Sequence, residues 1–278
     1  MPRSARIFSN TLLYTALALG ALVMIIPFLY MLSTAFKGQV YVLEVPPSFL
    51  PEQPTVQNFI DAWQSNNFSR YFGNSLLVAV ATTALSTLVS AMFAYAFARF
   101  NFIGKNLLFY AVLLTLMLPN LMLIIPEFIL VKNLGLRNNL IGLVIVYLAF
   151  SIPLNTFLLR GFFEGLPREL EEAVLIDGGS YWTIFSRIVL PLSTPALATV
   201  AIFTFLFAWD EFTWALTAID DPASRTLPVA IATFQGQHLT QWGLVFAASL
   251  IAIAPVILVF ITLQRYFIKG LTQGAVRG

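Results

Sequence analysis

The chain contains no cysteine, and His238 is its single histidine in 278 residues. Disulfides, thiolate metal sites and multi-histidine metal sites are thereby excluded, and no metal centre is expected. With no thiol to read, the redox compartment stays open. Charge is also scarce. Lys, Arg, Asp and Glu make up 10% of the residues, against ~25% in an ordinary soluble domain. Water cannot cover a surface this poor in charge, so lipid is the expected solvent. A formal net charge of +2 is too small to mark a nucleic-acid binder. The chain also lacks a G-x-x-x-x-G-K-[ST] loop, so it holds no phosphate cradle of that kind, and it lacks an H-E-x-x-H motif.

What is abundant is apolar surface, at 59% of the residues. Crossing a bilayer as a helix takes ~20 mostly apolar residues. Such runs occur at Thr11 to Ser33, Asn74 to Phe97, Leu107 to about Leu130, Leu140 to Leu159, Ala196 to about Ala218 and Leu244 to Gln264. The expectation is an all-α integral membrane chain with six spans. The first run exceeds the ~7–15 residues of a signal-peptide core, so it reads as a retained helix with a kink at Pro27. A proline-rich polar stretch from Lys37 to Gly73 follows it. The whole chain reads as one transmembrane domain, 1–278, with a helical core at about 70–265.

Lysine and arginine favour cytoplasmic loops. With the connections numbered alternately, one side holds Arg3, Arg6, Arg99, Lys105, Arg160, Arg168, Arg187, Arg265, Lys269 and Arg277. The other holds Lys37, Arg70, Lys132, Arg137 and Arg225. Ten against five places both termini in the cytoplasm. Within the second span, Ala79, Thr83, Ser86, Ser90 and Ala94 form a stripe of small residues. Such a stripe lets helix backbones approach closely, and packing is the favoured reading over a lining for a polar pathway. Prolines inside the spans, among them Pro119, Pro126, Pro153 and Pro255, free carbonyls and bend helices.

The most informative segment joins the fourth and fifth spans, at 160–193. Pro167 suits a first helical position, and Glu169, Glu171 and Glu172 then fall in the first turns, where the helix dipole favours negative charge. Gly178 and Gly179 stop that helix with a left-handed cap. Ser180 caps a second short helix, with Arg187 near its end, and Pro191 ends it or starts the next element. Leu166, Leu170, Ala173 and Val174 form an apolar stripe, and Trp182 and Phe185 supply aromatic bulk. Two short helices at a glycine elbow suit docking into a groove of a partner. From the residues alone, an amphipathic loop lying on the membrane surface competes equally with that picture.

The segment also resembles a known signature. Glu172-Ala173-Val174, then Gly178, then nine residues to Ile188, then Leu190-Pro191, is similar to the EAA loop of ABC importer permeases, with Val174 where a second alanine is usual. Thr55-Val56-Gln57-Asn58-Phe59, Asn74-Ser75, Leu118-Pro119, Ile125-Pro126, Leu134-Gly135-Leu136, Thr226 to Ala230 and the tail Gln264 to Ala275 resemble the carbohydrate-type, MalG-like branch of that family. Asp210 stands where the branch commonly has Asn.

The resemblance implies the type I ABC importer permease fold in a prokaryotic inner membrane. It implies a non-catalytic subunit that imports a sugar or related polyol by alternating access. The implied partners are a second, MalF-like permease, two MalK-like ATPase subunits and an extracytoplasmic solute-binding protein. ATP and Mg would sit on the ATPase subunits, leaving no cofactor on this chain. Glu172, Ala173, Asp177, Gly178, Ile188, Leu190 and Pro191 would contact an ATPase cleft. The tail at 265–278, with Lys269, Gly270 and Gly274, would lie against the ATPase subunits rather than fray. The outside loop from Asp220 to Thr240 would meet the binding protein.

Solute selection is harder to read. Asp210 and Glu211 fit either a solvated interfacial position or the pathway, and Glu127 is similarly placed. Asn120, Asn155, Trp209 and Trp214 fit sugar contacts and packing alike. A secondary transporter or a membrane-embedded enzyme are the alternatives. The spans show no pair of buried opposite charges and no half-to-half repeat to support the former, and the lone histidine leaves little for the latter.

Overall fold

The structure is a computed structural model. It describes residues 3–38, 40, 46, 48–65, 67–235 and 240–275, with side chains described over 10–265 of these. In chain order the helices are α1 (Arg3–Ala35), α2 (Gln57–Gln64), α3 (Phe68–Arg99), α4 (Lys105–Leu114), α5 (Asn120–Asn133), α6 (Leu140–Glu164), α7 (Glu169–Ile176), α8 (Tyr181–Ile184), α9 (Leu190–Leu192), α10 (Thr194–Asp210), α11 (Thr213–Ala218), α12 (Leu227–Ala232) and α13 (Trp242–Ala275). No strand occurs among the described residues. Four helical stretches are long and apolar enough to cross a membrane alone: Asn10–Ala35, Phe68–Arg99, Leu140–Glu164 and Trp242–Arg265. Two more spans arise if each bent pair counts as one, Lys105–Met117 with Asn120–Asn133 and Tyr181–Leu192 with Thr194–Asp210.

The bend in the third span falls where Pro119 places it, whereas the fifth span differs from its expected bounds. The third breaks by 105° at Leu118-Pro119. Leu118 is extended there (ψ 121°), the conformation that a following proline favours, and Pro119 is extended too before α5 starts at Asn120. The fifth helix ends at Asp210 rather than near Ala218, because Glu211 turns to ψ 121° and α11 begins afresh at Thr213.

Chain contacts divide the molecule into two compact units. The first comprises 1–68 and 231–253. Within it Asn58 is nearly buried and donates from Nδ2 to the carbonyls of Ala35 (3.0 Å) and Lys37 (2.6 Å), which closes the open C-terminus of α1. Phe59 packs on Phe36, ring centroids 5.0 Å apart. These bonds give a physical reason for the Asn58-Phe59 part of the resemblance. The exposed side chains of α1 are largely apolar, Met24, Val23 and Tyr14 among them, as a lipid-facing helix requires.

The second unit comprises 69–230 and 254–278. Its core lies among α3, α6 and α10. The small-residue stripe of α3 is packed there: Ala79, Ser86, Ser90 and Ala94 are all fully buried. On the cation-poor side, Asn74 Nδ2 donates to the carbonyls of Ala223 (3.0 Å) and Arg225 (2.9 Å), and Ser75 Oγ accepts from the Leu227 N–H at 2.8 Å. The start of α3 is thereby tied to the loop before α12. Asn138 adds a second tie, accepting at Oδ1 from the N–H groups of Asp220 (2.6 Å) and Asp221 (3.1 Å), and Arg137 pairs with Asp220. His238 lies outside the described residues, as does part of the loop that ends at Thr240.

Candidate functional site

The segment between α6 and α10 builds the site. Helix α6 continues to Glu164, past its expected end, and the chain turns at Gly165-Leu166. Pro167 precedes α7 instead of opening it. Arg168 is the N-cap, its carbonyl accepting from Glu171 (2.9 Å) and Glu172 (3.0 Å). Three glutamates do fill the first turn, where the helix dipole favours them.

The elbow forms as its glycines suggest. Gly178 adopts φ +79°, its N–H donates to Leu175 O at 3.0 Å, and the Gly179 N–H donates to Val174 O at 2.8 Å. This is the paired closure of a Schellman motif, with Gly178 at the left-handed position. No atom lies within 4 Å of where a Gly178 Cβ would sit, so the demand there is on the backbone alone. Gly179 is constrained differently. A Cβ there would collide with the Val174 side chain and come within 2.8 Å of its carbonyl oxygen.

Ser180 caps α8, its Oγ accepting from the Thr183 N–H at 3.2 Å. Of the two roles open to Pro191, the structure shows the second: it does not end the helical run but stands at the start of α9. Phe185–Val189 form a π turn, closed by a bond from Leu190 N to Phe185 O, and Pro191 follows without an N–H to offer. The run reaches Leu192 and bends by 77° into α10 around the buried Ser193.

Two faces result. Inward, Ile184, Phe185 and Val189 join a core with Ala91, Ala94, Tyr95 and Ala98 of α3, Leu159 and Phe163 of α6 and Val200 of α10, while Leu166, Val174 and Leu190 pack against it. Of the two aromatics on the second short helix, Phe185 turns inward; it is 3% exposed because it fills the space beside Tyr95, ring centroids 5.4 Å apart. The apolar stripe also splits, since Leu166 and Val174 face the core and Leu170 and Ala173 stay exposed. Outward lie Glu172, Ala173, Ile176, Asp177, Gly178 and Trp182, with Ile176 85% exposed; Ile188 is half-buried and Pro191 exposed.

An ion pair locks the inner face. Arg99, the last residue of α3, meets Glu171 of α7 at 2.5 Å, and its Nη2 donates to Leu166 O at 2.9 Å. The two side chains are 7% and 13% exposed. In the sequence, Arg99 shows only as a charge at a span end and Glu171 only as a partner of the helix dipole. Their positions, at a span end and in the facing loop, were the available signal.

The solute candidates are dispersed. Asn155 is buried, and its Nδ2 donates to Ser86 (3.0 Å) and Thr204 (2.8 Å), joining α3, α6 and α10. Trp209 is 2% exposed, stacked on Phe205 and edge-on to Phe72. The Glu211 carboxylate accepts from the N–H groups of Trp214 (2.7 Å) and Ala215 (3.0 Å) and from the Tyr147 hydroxyl (2.6 Å), so it caps α11. Asn120 and Asp210 are exposed. Lys269, Gly270 and Gly274 fall on the backbone of α13, which stays helical to Ala275, and their side chains lie outside the described ones.

The chain is 35% identical over 266 residues to the diacetylchitobiose uptake system permease protein NgcG of Streptomyces coelicolor, covering 95% of this chain and 88% of that one. It is 34% identical over 275 residues to the trehalose/maltose transport system permease protein MalG of Thermococcus litoralis, covering 98% of each. Its fold matches a chain of a bacterial ABC transporter involved in the import of the acidic polysaccharide alginate, with a TM-score of 0.82 at 24% identity over 96% of this chain and 99% of that one. Residues 86–273, which include the elbow and its Arg99 clamp partner, match the model of the binding-protein-dependent transport system inner membrane component, and the chain belongs to that family.

Proposed function

We propose that this chain is one permease half of an ATP-driven, binding-protein-dependent importer of a sugar or related polyol, and that the elbow of α7 and α8 is the lever through which partner ATPase subunits move it. The observation that carries this reading is the two-faced elbow. Its inner face is fixed to α3, α6 and α10 by apolar packing and the Arg99–Glu171 pair, while its outer face presents Glu172, Ala173, Ile176 and Asp177 to a partner. A push on the outer face is therefore delivered to three membrane helices together. A loop merely resting on the membrane surface would not need a buried ion pair to hold it.

Hydrolysis of ATP then belongs to two ATPase subunits, and a second permease completes the pathway. The carbohydrate class is supported by the relatives named for diacetylchitobiose and trehalose/maltose uptake. Asn120 and Asp210 are the pathway candidates with exposed side chains, whereas Asn155, Trp209 and Glu211 reach a solute only by giving up the contacts that hold the helices. Alternating access requires nucleotide and solute each to discriminate between the two states.

The test is copurification followed by reconstitution. The chain is expected to elute with an ATPase subunit, and proteoliposomes of the full complex are expected to take up the solute held by the cognate binding protein only with ATP inside. ATP-independent uptake by the chain alone sinks the proposal.

A further inference from the structure

The turn between α3 and α4 borders an open, shallow cavity of about 370 Å³, lined by Asn101, Phe102, Gly104, Lys105, Asn106 and Arg160, together with Leu107. Both cations belong to the cation-rich side of the chain. Gly104 is left-handed (φ +83°) and starts α4 without a side-chain cap. Arg160 is held in place: its guanidinium lies 3.9 Å from the centroid of the Phe109 ring, and its Nε donates to Glu164 at 2.8 Å. That bond uses one of five N–H donors. Lys105 has no ion pair among the described residues. Two cations against the single Glu164 carboxylate leave the cavity with one uncompensated positive charge.

The surroundings change character at once. Ile103 at the lip is fully exposed, and along α4 Leu107, Tyr110 and Leu114 are 74%, 62% and 60% exposed. Helix α4 is the first arm of a bent membrane span. A polar pocket with a surplus positive charge, opening onto an apolar helix face at a membrane boundary, has the profile of an amphiphile with a negatively charged head. We propose that this cavity binds the headgroup of an anionic phospholipid, with the phosphate between Lys105 and Arg160, the Asn101 and Asn106 amides beside it, and the acyl chains along α4. A zwitterionic headgroup leaves the surplus charge unmatched, so the site discriminates by charge.

The experiment uses the full transporter complex in nanodiscs of phosphatidylcholine with a minor fraction of phosphatidylglycerol, and reads the lipid retained per complex by native mass spectrometry. Phosphatidylglycerol is expected to be enriched over its bulk fraction. Lys105→Gln, a change at the cavity lip, is expected to lower that enrichment roughly fivefold, the effect of about one lysine near an anionic surface. Arg187→Gln, an exposed cation of the same side outside the cavity, is expected to leave it unchanged. Retention of the two lipids in proportion to their bulk fractions, or equal loss in both variants, overturns the proposal, since the cavity then selects no headgroup or generic surface charge suffices. Displacement of the retained lipid by millimolar inorganic phosphate also overturns it, because the site then takes the free anion.

Discussion

Arg99 and Glu171 stand 72 residues apart in the chain and 2.5 Å apart in space, nearly sealed from solvent. Surface ion pairs of this type contribute little, but breaking one that is buried leaves an uncompensated charge and costs ~3–5 kcal/mol. The Leu166 carbonyl takes a second bond from the same guanidinium. The end of α3 and the start of α7 are thereby joined by two bonds.

The first prediction follows from that pair. Arg99→Gln should insert normally and lose transport while basal ATP hydrolysis by the complex persists, because the lever no longer grips α3. Exchanging the charges, Arg99→Glu with Glu171→Arg, should restore transport in part, since the Leu166 bond is not rebuilt. Uptake and hydrolysis measured side by side in proteoliposomes decide it. An exchange no better than either single change removes the pair from the mechanism.

The elbow glycines separate two demands. Gly178→Val forces a β-branched residue into φ +79°, at a cost of at least ~1–2 kcal/mol, and transport should fall far more than protein level does. Gly179→Ala should also impair coupling, here through collision with Val174. Adding Val174→Ala should relieve Gly179→Ala in part and leave Gly178→Val unrelieved. Uptake per unit of inserted protein is the measurement. Relief of both variants would mean that one steric cause underlies them.

Asn155 provides the contrast with a solute contact. Asn155→Ala leaves the Ser86 and Thr204 hydroxyls without their donor in a buried setting, which costs about 1–3 kcal/mol. The expected result is a lower Tm in detergent with an unchanged apparent KM for the transported solute. A raised KM at unchanged Tm would return Asn155 to the pathway.

The orientation is testable against a clean background, because the natural chain has no thiol. Cysteine at the exposed Gln53 should react with an impermeant maleimide in intact cells. Cysteine at the exposed Glu169 should react only after the membrane is permeabilised. The reverse pattern inverts the topology and removes the elbow from the ATPase side.

Hydropathy located the spans because lipid exposure acts on every residue of a run. Pro119 marked a bend in the third run, but nothing showed the break after Asp210, since it costs few apolar residues and leaves the run continuous. The elbow was legible through Gly178 and Ser180, whose roles are local to the backbone. The inward turn of Phe185 was not, because the π turn that rotates it depends on bonds and packing that spacing alone does not reveal. Arg99 and Glu171 each had a sufficient local explanation, which hid a contact made only by folding. Glu211 read as a charge near a span, and its use as a cap needed the helix end at Asp210 to be visible first.

Helix α3 is anchored at both ends, by Asn74 and Ser75 to the loop before α12 and by Arg99 to α7. From Asn74 to Arg99 an unbroken helix spans about 37 Å at 1.5 Å per residue. It acts as a tie rod across the bilayer. On the proposed mechanism, an event that shifts the loop before α12 would tilt the rod and displace the elbow, with no solute touching this chain on the way.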